Sequence, residues 1–142
     1  MTDEPAVRRL LPRALGAWAG VSVAGGAVLV LAGRRGEDPR LAAAGRQHLA
    51  WGLVDGIIAV AAGRGLARPP RRPPEVERRR LRRLLTVNAV ADLAYIAAGR
   101  AWAGRGSPAD RGAGHAVVTH GAFLLVLDTT AALLLRERRH GG

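Results

Sequence analysis

Apolar residues along this chain come in long blocks, and most of the charged residues lie between them. Residues 14–33 run for 20 positions without a charge, enough to cross a hydrocarbon core as a helix rising ~1.5 Å per residue. Three further apolar segments, at about 41–66, 84–103 and 113–135, have similar lengths, but each carries a stripe of polar residues. Gln47, Trp51 and Asp55 are spaced i, i+4, i+8; Asn88, Asp92 and Tyr95 are spaced i, i+4, i+7; His120 and Asp128 are eight apart. At 3.6 residues per turn, each set falls on one helix face. The pattern predicts an all-α protein, a bundle of four transmembrane helices whose second, third and fourth members turn these stripes toward one another. The first segment has no such stripe, which assigns it to closing the bundle or to an oligomer contact.

Turn chemistry sharpens the boundaries. Asp38-Pro39 has the form of an N-cap followed by proline at the first helical position, so the second helix is expected from Pro39 to about Leu66. Ser107-Pro108-Ala109-Asp110 repeats the device before the fourth. Residues 64–83 form an Arg/Pro-rich connector. Its Arg68-Pro69-Pro70-Arg71-Arg72-Pro73-Pro74 half is expected to be extended, while a helix starts at Pro74 with Glu75 and Glu77 at its positive end. Gly16 with Gly20 and Gly52 with Gly56 are GxxxG spacings. The first reads as chance in so glycine-rich a chain; the second gives the second helix one tightly packing flank beside its polar one. A cleaved signal peptide is the rival reading of residues 1–33. The run is long for that purpose, and Arg34-Arg35 follow it at once.

Charge fixes an orientation. All 22 basic residues are arginine, the net charge is +11, and there is no cysteine. Disulfides, thiolate chemistry and Cys-ligated metals are therefore excluded. The charge alone would fit nucleic acid, but the arginines flank apolar runs and no nucleic-acid-reading motif is present, so no nucleic-acid partner is expected. With four spans, 15 of the arginines fall on the side of the termini and the connector, and 7 on the other. The excess places the termini and connector in the cytoplasm of a multi-pass protein of the bacterial cytoplasmic membrane. Arg78, Arg79, Arg80, Arg82 and Arg83 then lie where anionic lipid headgroups would meet them.

An aspartate at the centre of a membrane helix costs about 2.5–3.5 kcal/mol, so Asp55, Asp92 and Asp128 are expected to point inward onto polar partners. Four readings of such a cluster compete. In the first, Gln47, Trp51, Asp55, Asn88, Asp92, Tyr95, His120 and Asp128 hydrogen-bond across helices and stabilise a small bundle, which serves alone, as a homo-oligomer or as an accessory subunit of a larger membrane complex. In the second, the three carboxyls form a ligand, proton or transport path. The third is metal or bis-histidine haem b binding through His48 and His120, which lie at similar depth. The fourth, catalysis, lacks any metalloprotease, nucleophile-elbow or phosphate-loop motif, so no enzyme is expected. His120 and Asp128 are two turns apart on one helix, ~12 Å along its axis, and cannot bond directly. Packing is the reading adopted, with no cofactor. A soluble four-helix bundle is the alternative fold.

The succession Trp51-Gly52, then Leu84-Leu85-x-x-Asn88-x-x-x-Asp92-x-x-Tyr95-Ile96-x-x-Gly99, then Gly121-x-Phe123-Leu124-Leu125-x-x-Asp128 resembles a family of small bacterial four-helix membrane proteins of unknown function. The likeness spans the second to fourth segments and implies a membrane bundle. It implies no activity.

Overall fold

A computed structural model of the chain describes residues 4–66, 68 and 72–136. They form α1 (Glu4–Arg35), α2 (Pro39–Leu66), α3 (Pro74–Ala103) and α4 (Pro108–Leu134). The expected cap at α2 is present: Asp38 Oδ1 accepts from the backbone N–H groups of Arg40 and Leu41 at 2.9 and 3.2 Å. At α4, Ser107 Oγ accepts from Asp110 N–H at 3.0 Å. α3 begins at Pro74 as expected, which shortens the true connector to residues 67–73. Pro69, Pro70 and Arg71 of its proline-rich half, and Glu137 to Gly142 at the C-terminus, lie outside the described residues.

α1 starts ten residues before the charge-free run that announced it. Local and distant contacts both favour the extension. Arg8 pairs with Glu4 one turn back at 3.0 Å and donates to the Leu66 carbonyl oxygen at 3.3 Å. Val7 is fully buried in a small apolar cluster with Leu85, Ala131 and Leu135, flanked by Leu11 and Leu81. That cluster closes one end of the bundle.

The helices run up and down as two antiparallel hairpins, α1 with α2 and α3 with α4, joined chiefly where α2 meets α4 and to a smaller extent where α1 meets α4. Three-residue and four-residue loops enforce the antiparallel neighbours. Within each hairpin the backbones come close enough to exclude a side chain. A Cβ on Gly26 would lie 2.8 Å from the Gly45 carbonyl oxygen, and one on Gly99 would lie 2.8 Å from that of Gly114. The α1 glycines picked out by GxxxG spacing are not these. Gly20 faces open space, while Gly52 packs on Ser22 and Val23 of α1, as expected for that flank.

Burial is inverted relative to a water-soluble bundle. The interior is largely glycine and alanine with the most polar side chains of the helices, whereas Val21, Val28, Leu53, Ile57, Val60 and Val126 are more than half exposed. Large apolar side chains facing outward over this much of the surface mark contact with lipid or another protein rather than water. α1, α2 and α4 are each long and apolar enough to cross a membrane. α3 is less apolar, because Asn88, Asp92 and Arg100 interrupt it and its first turns carry arginines.

Gly99→Leu is expected to destabilise the protein by about 1–3 kcal/mol through overpacking, read as a lower unfolding midpoint in detergent micelles. Gly20→Ala, with nothing near it, should leave the midpoint unchanged or slightly higher.

Candidate functional site

At the crossing of α2 and α4, His120 Nε2 lies 2.6 Å from Asp55 Oδ2, both residues 2 % exposed. The spacing of α2 brings this about. Gly52 lies against α1, and Asp55, three residues on, turns the adjoining face toward α4. From α1, Trp18 Nε1 donates to the same His120 nitrogen at 3.2 Å, and its ring stacks on Phe123 with centroids 4.3 Å apart. Trp51 leans on the other side of the imidazole at 5.9 Å and meets Tyr95 of α3 edge-on at 5.3 Å. One residue or more from every helix therefore touches this layer.

Two neighbours make opposite demands on a single nitrogen. The indole N–H requires a lone pair at Nε2, whereas a carboxylate requires a proton there. Nε2 has one lone pair and so accepts fully from only one of them, Trp18 or a protonated Asp55, and in that tautomer the neutral ring carries its proton on Nδ1. With the proton on Nε2, His120 donates to Asp55 and Trp18 loses its acceptor. His120 Nδ1 is buried without a hydrogen-bond partner. A bare lone pair is the less costly occupant of such a place than an N–H, and an imidazolium would leave an N–H unpaired there.

The other two acids lie to one side. Asp92 of α3 and Asp128 of α4 line the same cleft as Asp55 of α2, about 610 Å³ between the hairpins. Asp92 is 4 % exposed, and its Oδ2 has no hydrogen-bond partner. Asn88 lines the cleft beside Asp128.

Several expectations need correction. α1 is no mere closing helix, since Trp18 reaches the centre of the cluster. Sequence reasoning missed Trp18 and the packing role of Phe123; an indole five residues after Arg13 reads as an interfacial tryptophan, so no signal marked it as a donor to the cluster. Asn88 and Tyr95 are exposed rather than enclosed, Tyr95 at 41 %. The buried line of α3 is Leu85, Asp92 and Gly99, seven apart, and at 100° per residue Asn88 and Tyr95 lie about 40° and 60° from Asp92 on one shared flank. Gln47 is half-buried, one turn before Trp51, and makes no hydrogen bond to the cluster among the described residues.

A bis-histidine haem does not fit. The ring centroids of His48 and His120 are 6.0 Å apart, but His120 is also hemmed in by Trp18 at 5.3 Å and Trp51 at 5.9 Å, and its Nε2 is taken by Asp55. No flat slot for a macrocycle opens on it. Among the described residues, no three carboxyl or imidazole groups converge as metal ligands. At the start of α3, Arg80, Arg82 and Arg83 are exposed and Arg79 pairs loosely with Glu75 at 3.6 Å; Arg78 is half-buried.

These features define a class of four-helix protein with an apolar exterior and an acid and imidazole cluster inside. Over residues 14–129 the chain matches a family described as a family of unknown function, DUF6992, and it belongs to that family. No curated protein and no solved structure matches it.

Removing one partner of the buried pair, by Asp55→Ala or His120→Ala, is expected to destabilise by about 3–5 kcal/mol, because the other is left buried and unpaired. A double-mutant cycle followed by thermal unfolding in micelles measures the coupling; additive losses would show that the two groups do not interact. Trp18→Phe, which keeps the stack on Phe123 and deletes the N–H, should cost about 1 kcal/mol.

Proposed function

We propose that this chain is a non-enzymatic integral membrane protein crossing the bacterial cytoplasmic membrane four times, whose Asp55–His120 contact clamps the two helical hairpins together. The observation that carries the reading is the 2.6 Å approach of two almost fully buried polar groups at the junction of the hairpins. In hydrocarbon the hydrophobic effect does not drive helices together, so interhelical polar contacts and close small-residue packing take over that role. Both are present here. The inverted distribution of apolar residues supports insertion. It extends to α3, where Leu84, Val87, Val90 and Leu93 are all more than half exposed although Asp92 is buried.

Both termini and residues 64–83 are assigned to the cytoplasmic side, on the strength of the arginine excess there. Anionic headgroups are the proposed partners of the arginines that open α3. The apolar outer faces of the helices are proposed to meet lipid, a second copy or a larger membrane complex, to which the chain would be an accessory subunit. The bacterial assignment rests on the motif running from Trp51-Gly52 through Asn88, Asp92 and Tyr95 to Asp128.

One observation favours a second role for the same bundle. Asp92, whose Oδ2 is unpaired, borders with Asp55 and Asp128 a cleft rather than a sealed core, which supports a ligand site beside the clamp.

Insertion and orientation are tested together. The protein should stay with the membrane pellet in alkaline carbonate. In this cysteine-free chain, Arg105→Cys should react with a membrane-impermeant maleimide in intact spheroplasts, and Arg72→Cys only after lysis. Release by carbonate would overturn membrane insertion, and the opposite labelling would invert the topology.

A further inference from the structure

We propose that the cleft between the hairpins binds a lipophilic ammonium compound, an apolar body bearing a protonated primary amine, with the amine seated at Asp92 and Asp128. The inference deepens the ligand-site reading just given and rests on it.

Charge selects the class of ligand. The chain carries 22 arginines against 11 acidic residues, yet among the described residues the cleft is bordered by four carboxyls, those of Asp55, Glu77, Asp92 and Asp128, and by no arginine, with Arg8 3.6 Å from Glu77 alone of the four. An anion is therefore disfavoured beside the three aspartates, where a cation meets negative groups that no arginine faces. Asp55 is already engaged by His120. Asp92 is not: its Oδ2 is buried and without a donor. A buried acceptor left unpaired is costly, and a ligand N–H donor would relieve it. An ammonium offers three such donors, sufficient for Asp92 and Asp128 together.

Shape selects the rest. Asp55, Asp92 and Asp128 lie toward one end of the cleft, Leu66 and Glu77 toward the other, and Leu15, Leu81, Leu124 and Leu127 add apolar wall. A volume of about 610 Å³ admits a compact organic molecule with room to spare. A bare metal ion would leave those walls unused. A ligand with a polar body would not match them. An amine carried on a compact hydrocarbon satisfies both ends, and it can reach the cleft through the bilayer.

The test uses the full chain in nanodiscs, with radiolabelled 1-adamantanamine as probe and empty nanodiscs as the partition blank. One saturable site is expected. The neutral 1-adamantanol and the anionic 1-adamantanecarboxylate should compete at least about tenfold more weakly, and Asp92→Asn should weaken the amine by about tenfold, the scale expected on removing one partner of a buried charged contact. Folding of each variant is checked by its helical circular dichroism. Should Asp92→Asn fail to fold, Leu81→Trp decides, since it fills the apolar part of the cleft and leaves Asp92 and Asp128 unchanged; amine binding that survives it overturns the proposal. If the neutral or anionic probe binds as well as the amine, or folded Asp92→Asn binds normally, the amine assignment falls while a ligand site of other character stands. If no probe saturates above the blank, the ligand-site reading falls with it. Neither result bears on the clamp or on topology, which the coupling cycle and the maleimide labelling judge separately.

Discussion

The contact between Asp55 and His120 sits where two otherwise self-sufficient hairpins meet, and the arrangement around it follows from having to satisfy polar groups that cannot reach water. Each hairpin is held by its own short loop and by close backbone packing, Gly26 on Gly45 in one and Gly99 on Gly114 in the other. Between the hairpins the same packing recurs at Gly112, where an added Cβ would strike the Arg40 backbone, and polar contacts join it. α2 and α4 meet across the buried acid and imidazole, Trp18 ties α1 to the same nitrogen, and Arg40 with His115 makes a looser contact nearer the loops at 3.4 Å. Polar groups at such a junction also define register, since an acid displaced by one helical turn, ~5.4 Å, would lose its partner in a medium that offers no substitute.

Small residues set the limits of this design. Glycine and alanine let helices approach closely and bring the polar groups into reach, but they supply little volume to fill the space that remains. Where α3 diverges from α1 and α2, the gap is bridged by side chains at one end through Val7, Leu81, Leu85 and Leu135 and through the 3.6 Å approach of Arg8 to Glu77, and further along by Trp51 against Tyr95. The cleft is the space left between that end and the Trp51–Tyr95 contact. Its position is thus a consequence of how the bundle is fastened, and Asp92 borders it because the buried line of α3 passes along its edge.

Much of this was legible in the sequence, for reasons that differ from part to part. Helix starts at Pro39, Pro74 and Pro108 are local matters of backbone geometry, and Asp38 and Ser107 announce two of them. The polar stripes on α2 and α4 were readable because a carboxyl in a long apolar run has few places to go. Three things were not readable. The early start of α1 depends on Val7 finding Leu85 and Leu135, contacts more than 75 positions away along the chain. Trp18 has no periodic companion on its helix, so no pattern flagged it. The flank of Asn88 and Tyr95 was assigned to the interior because both share a face with Asp92; which part of that face is enclosed depends on how α3 is rotated against α4, and that is set by Gly99 and Gly121.

The separation of charge is the last consequence of the same constraint. With 22 arginines in 142 residues, a random placement would put guanidinium groups beside every acid. Instead the arginines gather at the helix ends, where a long side chain can bring its charge to water even when its stem lies against apolar surface. An aspartate has no such reach, so the three acids in the middle of the helices must find satisfaction from neutral donors or remain without it. Asp55 has His120. Asp92 Oδ2 has no such partner, although a Ser or Asn on the facing helix would have been enough to supply it. Asp92 Oδ2 is thus left unpaired in the cluster, as His120 Nδ1 is, and Asp92 borders a cavity that no arginine among the described residues lines.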